Sequence, residues 1–114
     1  MHTKKLVLHE TASHRVGKNG AVGTDVARAV SSHAIVGYDS YSARVYPKQQ
    51  RLVFQVALSL KGGIIVSRLS LMQDETQTTG PILTGTGKYR GIDGTMNVRT
   101  TQQGQVYARL HYQL

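Results

Sequence analysis

Residues 80–98 read GPILTGTGKYRGIDGTMNV, and this glycine-rich stretch decides the fold. It does not match a P-loop, because Ile82 stands where that motif needs its first glycine and Tyr89 stands where it needs the hydroxyl that holds magnesium. It does not match the dinucleotide fingerprint either, since its glycines are wrongly spaced and no helical pattern follows them. Apolar and polar residues alternate after the glycines, so the stretch predicts a turn that leads into a β-strand.

Short alternating runs surround this turn, and the clearest is residues 51–60, where every second residue is apolar. Gly62 and Gly63 follow it and predict a hairpin, because glycine adopts the positive φ that tight turns need. Residues 25–30 also fit a short helical turn. The predicted strands are residues 4–11, 21–30, 33–46, 51–60, 64–72, 82–84, 92–100 and 106–114. Eight short strands predict one all-β domain over residues 1–114, either a sandwich or a closed barrel.

The glycine-rich turn resembles that of the allene oxide cyclase barrel-like group, to which the plant dirigent proteins are similar. Two weaker matches are VGTD at residues 22–25 and the hairpin LSLKGGIIV at residues 58–66. The resemblance implies an eight-stranded antiparallel up-and-down β-barrel of the allene oxide cyclase-like type, with little or no helix. Such a barrel has no exposed edges, and its interior is either filled by side chains or holds one small ligand. We expect the turn to be a structural joint whose rim residues are Lys88, Tyr89 and Arg90.

The first strand departs from the family pattern. Resemblance to the allene oxide cyclases implies a Glu-x-Asn element near the start of the barrel, and the best local match is HET at residues 9–11. That alignment places His9 and Thr11 inward. A shift of one residue places Glu10 inward instead, because side chains alternate between the two faces of a strand.

The charge and the residue types exclude several classes of function. The 14 Lys and Arg against 6 Asp and Glu give a formal charge of +8, which suits an anionic partner, but the cations are scattered and no RNA-stacking motif is present. We therefore expect no nucleic-acid partner. The absence of cysteine excludes disulfides, thiolate zinc sites and cysteine nucleophiles. The five histidines lack metal-ligand spacing, so we expect no metal and no cofactor.

No apolar run approaches the roughly 18 residues of a membrane span, and charged residues occur too early for a signal sequence. The sequence therefore predicts a cytoplasmic protein that does not interact with a membrane.

Polar residues inside the predicted strands are the candidate site. In residues 33–46 neither face is cleanly apolar, which is typical of a polar-lined cavity and also of an edge strand. We expect tyrosine and arginine to bind or polarise a substrate carbonyl, and apolar side chains to shape the wall. The predicted catalytic residues are His9, Tyr38, Tyr41, Arg44 and Arg68. The predicted substrate-binding residues are Tyr46, Phe54, Met72, Met96, Tyr107, Arg109 and Leu110. Phe54 and Met96 also fit a plain core, and Tyr107 and Arg109 fit a solvated face.

The resemblance implies a function among the bacterial members of the group that act in natural-product biosynthesis. These include spirotetronate cyclases, Diels-Alderases that catalyse an intramolecular [4+2] cycloaddition of a linear polyketide. Such a reaction requires no metal, flavin or nucleophile, since holding the reacting groups in a near-attack geometry supplies much of the acceleration. The resemblance also implies a homodimer or homotrimer. Two alternatives remain: a barrel that binds a small hydrophobic ligand without changing it, and a small nucleic-acid-binding barrel suggested by the charge.

Overall fold

Eight antiparallel strands, each paired with its neighbour in sequence, close into a barrel through pairing of the last strand with the first. The computed structural model describes all residues, 1–114. The strands are β1 (His2–Val16), β2 (Gly20–Ala29), β3 (Ile35–Tyr46), β4 (Arg51–Leu60), β5 (Gly63–Met72), β6 (Gln77–Gly85), β7 (Asp93–Thr100) and β8 (Val106–Gln113). Two single turns of 3-10 helix, Pro47–Gln49 and Gly87–Tyr89, follow β3 and β6. The predicted eight-stranded antiparallel barrel is confirmed.

The structure departs most from the prediction in three parts of the chain. Residues 25–30 do not form a helical turn, because β2 pairs with both β1 and β3 over this region. The strand β1 continues to Val16, beyond its predicted end at residue 11, since its polar second half pairs with β2 after the pairing with β8 has ended at Leu8. The strand β6 begins at Gln77 rather than at residue 82, because its polar first residues pair with β7.

The interior of the barrel is packed at one end. Fourteen buried side chains, drawn mainly from the inward faces of the strands, form one continuous apolar cluster. The cluster consists of Leu6, Leu8, Ala27, Val56, Leu58, Ile65, Leu69, Ile82, Tyr89, Ile92, Met96, Ala108, Leu110 and Tyr112.

Tyr89 closes this packed end, and its predicted place at the rim is wrong. The side chain is 1% exposed, because the helical turn Gly87–Tyr89 folds it under the barrel. Its ring meets that of Tyr112 edge-on, with 6.2 Å between the centroids, and His2 stacks on the other side of Tyr112 at 5.2 Å. The neighbouring Lys88 and Arg90 are exposed, as expected for rim residues. Three rings therefore cover the end of the apolar core.

The glycine-rich turn docks on the hairpin between β4 and β5. The backbone N–H of Lys88 donates to the carbonyl oxygen of Gly62 at 2.9 Å. The Ile64 N–H donates to the Thr86 hydroxyl at 2.9 Å, and the Thr86 N–H returns a bond to the Ile64 carbonyl at 2.9 Å. Gly87 has a φ of +59°, and a Cβ at this residue would overlap the Gly62 carbonyl. Glycine is required there by conformation and by space.

No helix in the structure combines the length and the apolarity needed to cross a lipid bilayer.

Substitution of Gly87 by alanine should destabilise the barrel more than the same change at Gly91. Both residues have positive φ, but a Cβ at Gly91 meets nothing within 4 Å. We expect Gly91→Ala to cost about 1 kcal/mol for the backbone conformation alone. Gly87→Ala should cost about 3 kcal/mol, since the added methyl also displaces the hydrogen-bonded turn. Urea unfolding measures both, and equal losses would contradict the docking role of Gly87.

Candidate functional site

The other end of the barrel is hollow. A cavity of about 250 Å³ lies between the packed core and the end that carries the turns at residues 47–50, 73–76 and 101–105. Most of the cavity wall is apolar and is formed by Leu8, Ala43, Leu52, Phe54, Val56, Leu71, Val98 and Val106. Three threonines also line it: Thr76 just before β6, Thr78 in β6 and Thr100 at the end of β7. The remaining wall is a group of four residues, Glu10, Asp25, Asp39 and Tyr41, which we call the carboxyl cluster.

The carboxyl cluster arises from the register of three adjacent strands. Glu10 on β1 lies directly opposite Asp25 on β2, and Asp25 lies directly opposite Asp39 on β3. Residues paired in this way have Cβ atoms about 5 Å apart and point to the same face. Tyr41 follows Asp39 on the same face of β3, and its O–H donates to Glu10 Oε2 at 2.8 Å. Three carboxyl groups and one phenol therefore meet on one patch of wall.

A bulge in β1 directly follows Glu10. The pairing passes from Glu10 opposite Asp25 to Ala12 opposite Thr24, which leaves Thr11 as an extra residue. The Thr11 hydroxyl bonds to the Thr24 carbonyl oxygen at 3.1 Å and to the Thr24 hydroxyl at 2.8 Å. Bulges reorient the side chains beside them and are common next to functional sites. Of the two alignments of residues 9–11, the structure has the one that places Glu10 inward.

Gly23 makes room for the contact between Tyr41 and Glu10. Tyr41 lies on β3 and Glu10 on β1, so the phenol must cross the inner face of β2. Gly23 is the residue of β2 opposite Tyr41, and a Cβ there would overlap the Tyr41 ring and hydroxyl. The VGTD match at residues 22–25 therefore supplies both the gap, at Gly23, and one acid of the cluster, Asp25.

Burial raises the pKa of two members of the carboxyl cluster, Asp39 and Tyr41. Burial raises the pKa of Asp39 to about 8, and a side-chain hydrogen bond with Asp25 and the charge of Asp25 add to the effect. At pH 7 Asp39 therefore keeps its proton. Burial also raises the pKa of Tyr41 to about 12, helped by its hydrogen bond to Glu10 and by the nearby carboxylates. Asp39 is only 3% exposed, yet its Oδ1 has no hydrogen-bond partner, which is unusual for a buried polar atom.

The structure places two of the predicted site residues, Tyr41 and Phe54, in the cavity wall. This position is compatible with catalysis by Tyr41 and with substrate binding by Phe54, and both roles remain predictions. Met96 and Leu110 lie in the packed core. The predicted residues on the outer face of the barrel are His9, Tyr38, Arg44, Tyr46, Arg68, Met72, Tyr107 and Arg109.

Strand alternation explains the outward placements. On β3 the inward phase contains Asp39 and Tyr41, so the residues with even numbers on this strand face outward. Likewise, the inward phase of β1 contains Leu8 and Glu10, which turns His9 outward. On the outer surface, Arg44, Tyr46 and Arg68 line one groove together, separate from the cavity. We do not include the outward residues in the site.

Asp25 and Asp39 were not among the predicted site residues. A signal for them exists in the sequence, because aspartate is depleted in strands, and an aspartate at the centre of a strand suggests a special environment. The sequence alone does not show that these two strands pair in the register that brings the two aspartates together.

The raised pKa of Asp39 predicts how the stability of the fold depends on pH. The pKa is 3.8 ordinarily and about 8 in the folded chain, so the folded chain holds a proton that the unfolded chain releases between these values. This contribution to stability is complete below pH 4 and is lost as the pH rises to about 8. Asp39→Asn should therefore be more stable than the parent at pH 8, by about 2 to 5 kcal/mol, with little difference near pH 4. Thermal unfolding from pH 5 to 8.5 measures this, with the exposed carboxyl variant Asp93→Asn as control. Parallel profiles for the parent and Asp39→Asn would contradict it.

Gly23→Ala should preserve the barrel but separate Tyr41 from Glu10, because the new methyl occupies the path of the phenol ring. The ring is a rotatable side chain, so we expect a loss of stability of only about 1 to 2 kcal/mol. A spectrophotometric titration should then show a lower tyrosine pKa for Tyr41, since the contact with Glu10 contributes to raising it. The variant Tyr41→Phe identifies the signal, and an unchanged titration in Gly23→Ala would contradict the role of the glycine.

No family model matches the sequence, and no curated protein matches it. Solved structures do share the fold. Pyocyanin demethylase superposes with a TM-score of 0.80 at 21% identity, over 98% of this chain and 100% of that protein. The pterocarpan synthase dirigent protein GePTS1 superposes with a TM-score of 0.78 at 13% identity, over 97% of this chain and 84% of that protein. The Diels Alderase AbmU from Streptomyces koyangensis gives 0.69 at 13% identity, over 96% of this chain and 63% of that protein. At these identities the likeness shows the fold alone, the closed eight-stranded antiparallel barrel that the resemblance of the glycine-rich turn implied.

Proposed function

We propose that the protein is a cofactor-independent cyclase or isomerase of natural-product biosynthesis, which binds a linear hydrophobic substrate such as a polyketide inside the barrel. The observation that carries the proposal is the cavity, an apolar chamber whose wall holds one concentrated group of acids. Solved structures with this fold include a synthase, a demethylase and a Diels Alderase, which supports a barrel that handles small molecules.

The size of the cavity determines how much of a substrate it can enclose. Ligand sites typically have volumes of about 300–1,000 Å³, and this cavity, at about 250 Å³, lies just below that range. It suits the reacting segment of a linear molecule, with the rest of the chain extending towards the open end. Confinement of that segment brings its reacting groups into a near-attack geometry, which is what an intramolecular [4+2] cycloaddition requires.

The carboxyl cluster adds proton movement to this confinement. The carboxylates of Glu10 and Asp25 can accept a proton from one position of the substrate. Asp39, whose pKa of about 8 lies near neutral pH, can return a proton at another position. One proton leaves the substrate and one enters it, so its composition is unchanged, as an isomerisation or cyclisation requires. The cluster could thus prepare a conjugated segment that the cavity then folds.

The outer face supports a further part of the proposal, a homodimer or homotrimer. Large apolar side chains are exposed there, and Tyr38 and Ile64 lie on either side of Ser59 across three adjacent strands. Contact with a second copy of the chain would remove this apolar surface from water.

The test is turnover of linear polyenes that carry a tetronate or a similar head group. The pure protein should convert at least one of them into a cyclic isomer of the same mass faster than buffer does. Ala43→Phe fills the cavity from its wall and should lower the rate at least about tenfold, since the reacting segment is then excluded. Ser42→Phe adds the same bulk on the outer face of the same strand and should leave the rate close to that of the parent. Liquid chromatography with mass detection follows the reaction.

An unchanged rate across several such substrates would overturn the cyclase proposal. If those substrates still raised the melting temperature of the parent but not that of Ala43→Phe, the second candidate, a barrel that binds its ligand without changing it, would replace the first.

A further inference from the structure

We propose that the cavity selects substrates whose enclosed segment carries a protonated nitrogen or a delocalised nitrogen-centred cation. This inference rests on the proposed function, because it names the substrate class of the same cavity. It is carried by the composition of the cavity wall, by the hydrogen bonds inside the carboxyl cluster and by one buried oxygen without a partner.

The cavity wall has the opposite charge to the rest of the protein. The chain has 14 Lys and Arg and 6 Asp and Glu, and three of those six acids, Glu10, Asp25 and Asp39, line the cavity. No lysine, arginine or histidine lines it. The titratable groups that face Asp39 are therefore Asp25 from β2, Glu10 from β1 and Tyr41 from β3, while β4 contributes the apolar Val56 and Leu58 beside it. Nothing in the wall compensates a carboxylate charge.

The hydrogen-bond donors of the carboxyl cluster already donate to other members of the cluster. The Tyr41 O–H donates to Glu10 Oε2 at 2.8 Å. Asp39 lies directly opposite Asp25, and a side-chain hydrogen bond between the two contributes to the raised pKa of Asp39. The atoms left for a ligand are acceptors, and Asp39 Oδ1 is the clearest, because it is buried and has no partner. A substrate carbonyl would find no unpaired donor within the carboxyl cluster. A substrate N–H would supply the missing bond to Asp39 Oδ1, and a positively charged one would also offset the negative charge of the cluster.

The apolar part of the cavity wall further limits the class of substrate that the cavity can bind. Phe54, Leu52 and Val98 face the same space as the cluster, so a small hydrated cation would lose water without gaining contacts there. An amphiphilic cation satisfies both parts of the cavity, with its charged nitrogen at the acids and its hydrocarbon part at the apolar wall. The structure contains no group of three or more histidine, cysteine, aspartate or glutamate side chains placed so that they could hold a metal ion.

Binding of such a cation should be linked to the proton on Asp39. A positive charge beside the carboxyl favours its ionised form, so the ligand lowers the pKa of Asp39 from about 8 and releases a proton. The affinity for a permanently charged ligand should therefore rise between pH 6 and pH 8.5. A neutral ligand of the same shape should show no such rise.

Three probes of one shape and different charge test the inference: benzamidinium, benzamide and benzoate. Isothermal titration calorimetry at pH 7 should show at least tenfold tighter binding of benzamidinium than of benzamide, and no measurable binding of benzoate. Asp39→Asn should reduce the preference for benzamidinium at least tenfold while preserving the binding of benzamide, and Asp93→Asn, an exposed carboxyl far from the cavity, should change neither. Asp25→Asn makes the same comparison if Asp39→Asn does not fold.

Equal affinities for benzamidinium and benzamide would overturn the preference for a cation and leave the cavity as a binding site, with the cyclase proposal intact. Tighter binding of benzoate would overturn it as well. Binding of benzamidinium that is unaffected by Ala43→Phe would place the ligand outside the barrel and overturn the inference. The turnover of the linear polyenes, with and without a protonated amine in the enclosed segment, decides the cyclase proposal separately.

Discussion

Closure of the sheet is the constraint on which the rest of this structure depends. Once β8 pairs with β1, each strand has an inside and an outside, and side chains alternate between them except at bulges. One register then determines whether an acid lies in water or in a cavity. The pairing of Glu10 with Asp25, and of Asp25 with Asp39, places three carboxyl groups on the inside. The unusual protonation of Asp39 follows from that register, because the same closure that groups the acids also buries the Asp39 side chain.

The two halves of the barrel have different tasks. The packed half supplies the stability, through a continuous apolar cluster that the rings of Tyr89, Tyr112 and His2 cover at its end. The hollow half carries groups that are costly to bury, such as the unpaired oxygen of Asp39. Separation of the two along the barrel axis lets the fold tolerate the acidic wall, because the strands that carry it continue into the core.

The sequence was sufficient for the barrel but not for its interior. The alternation in residues 51–60 and the glycines of residues 80–98 are local features, and they predicted the strands and the fold. The residues of β3 that point inward could not be predicted from alternation, because both faces of this strand mix apolar and polar residues. For β1 the sequence allowed either His9 and Thr11 or Glu10 to point inward. The pairing of β1 with β2 and β8 places Glu10 inside. The burial of Tyr89 could not be predicted from its local sequence. It depends on a helical turn that is held by a hydrogen bond to a hairpin distant in sequence.

The rings at the packed end make the cavity a blind chamber. A molecule that enters at the open end meets the core and not a second exit, so under the proposed function the product must leave through the mouth by which the substrate arrived. Because substrate and product would use the same opening, a product that stays bound would block entry of the next substrate. A reaction that makes its product more compact, or removes its charge, would loosen the product from the wall and clear the way. The rate of a catalyst of this shape would then be limited by departure as much as by chemistry.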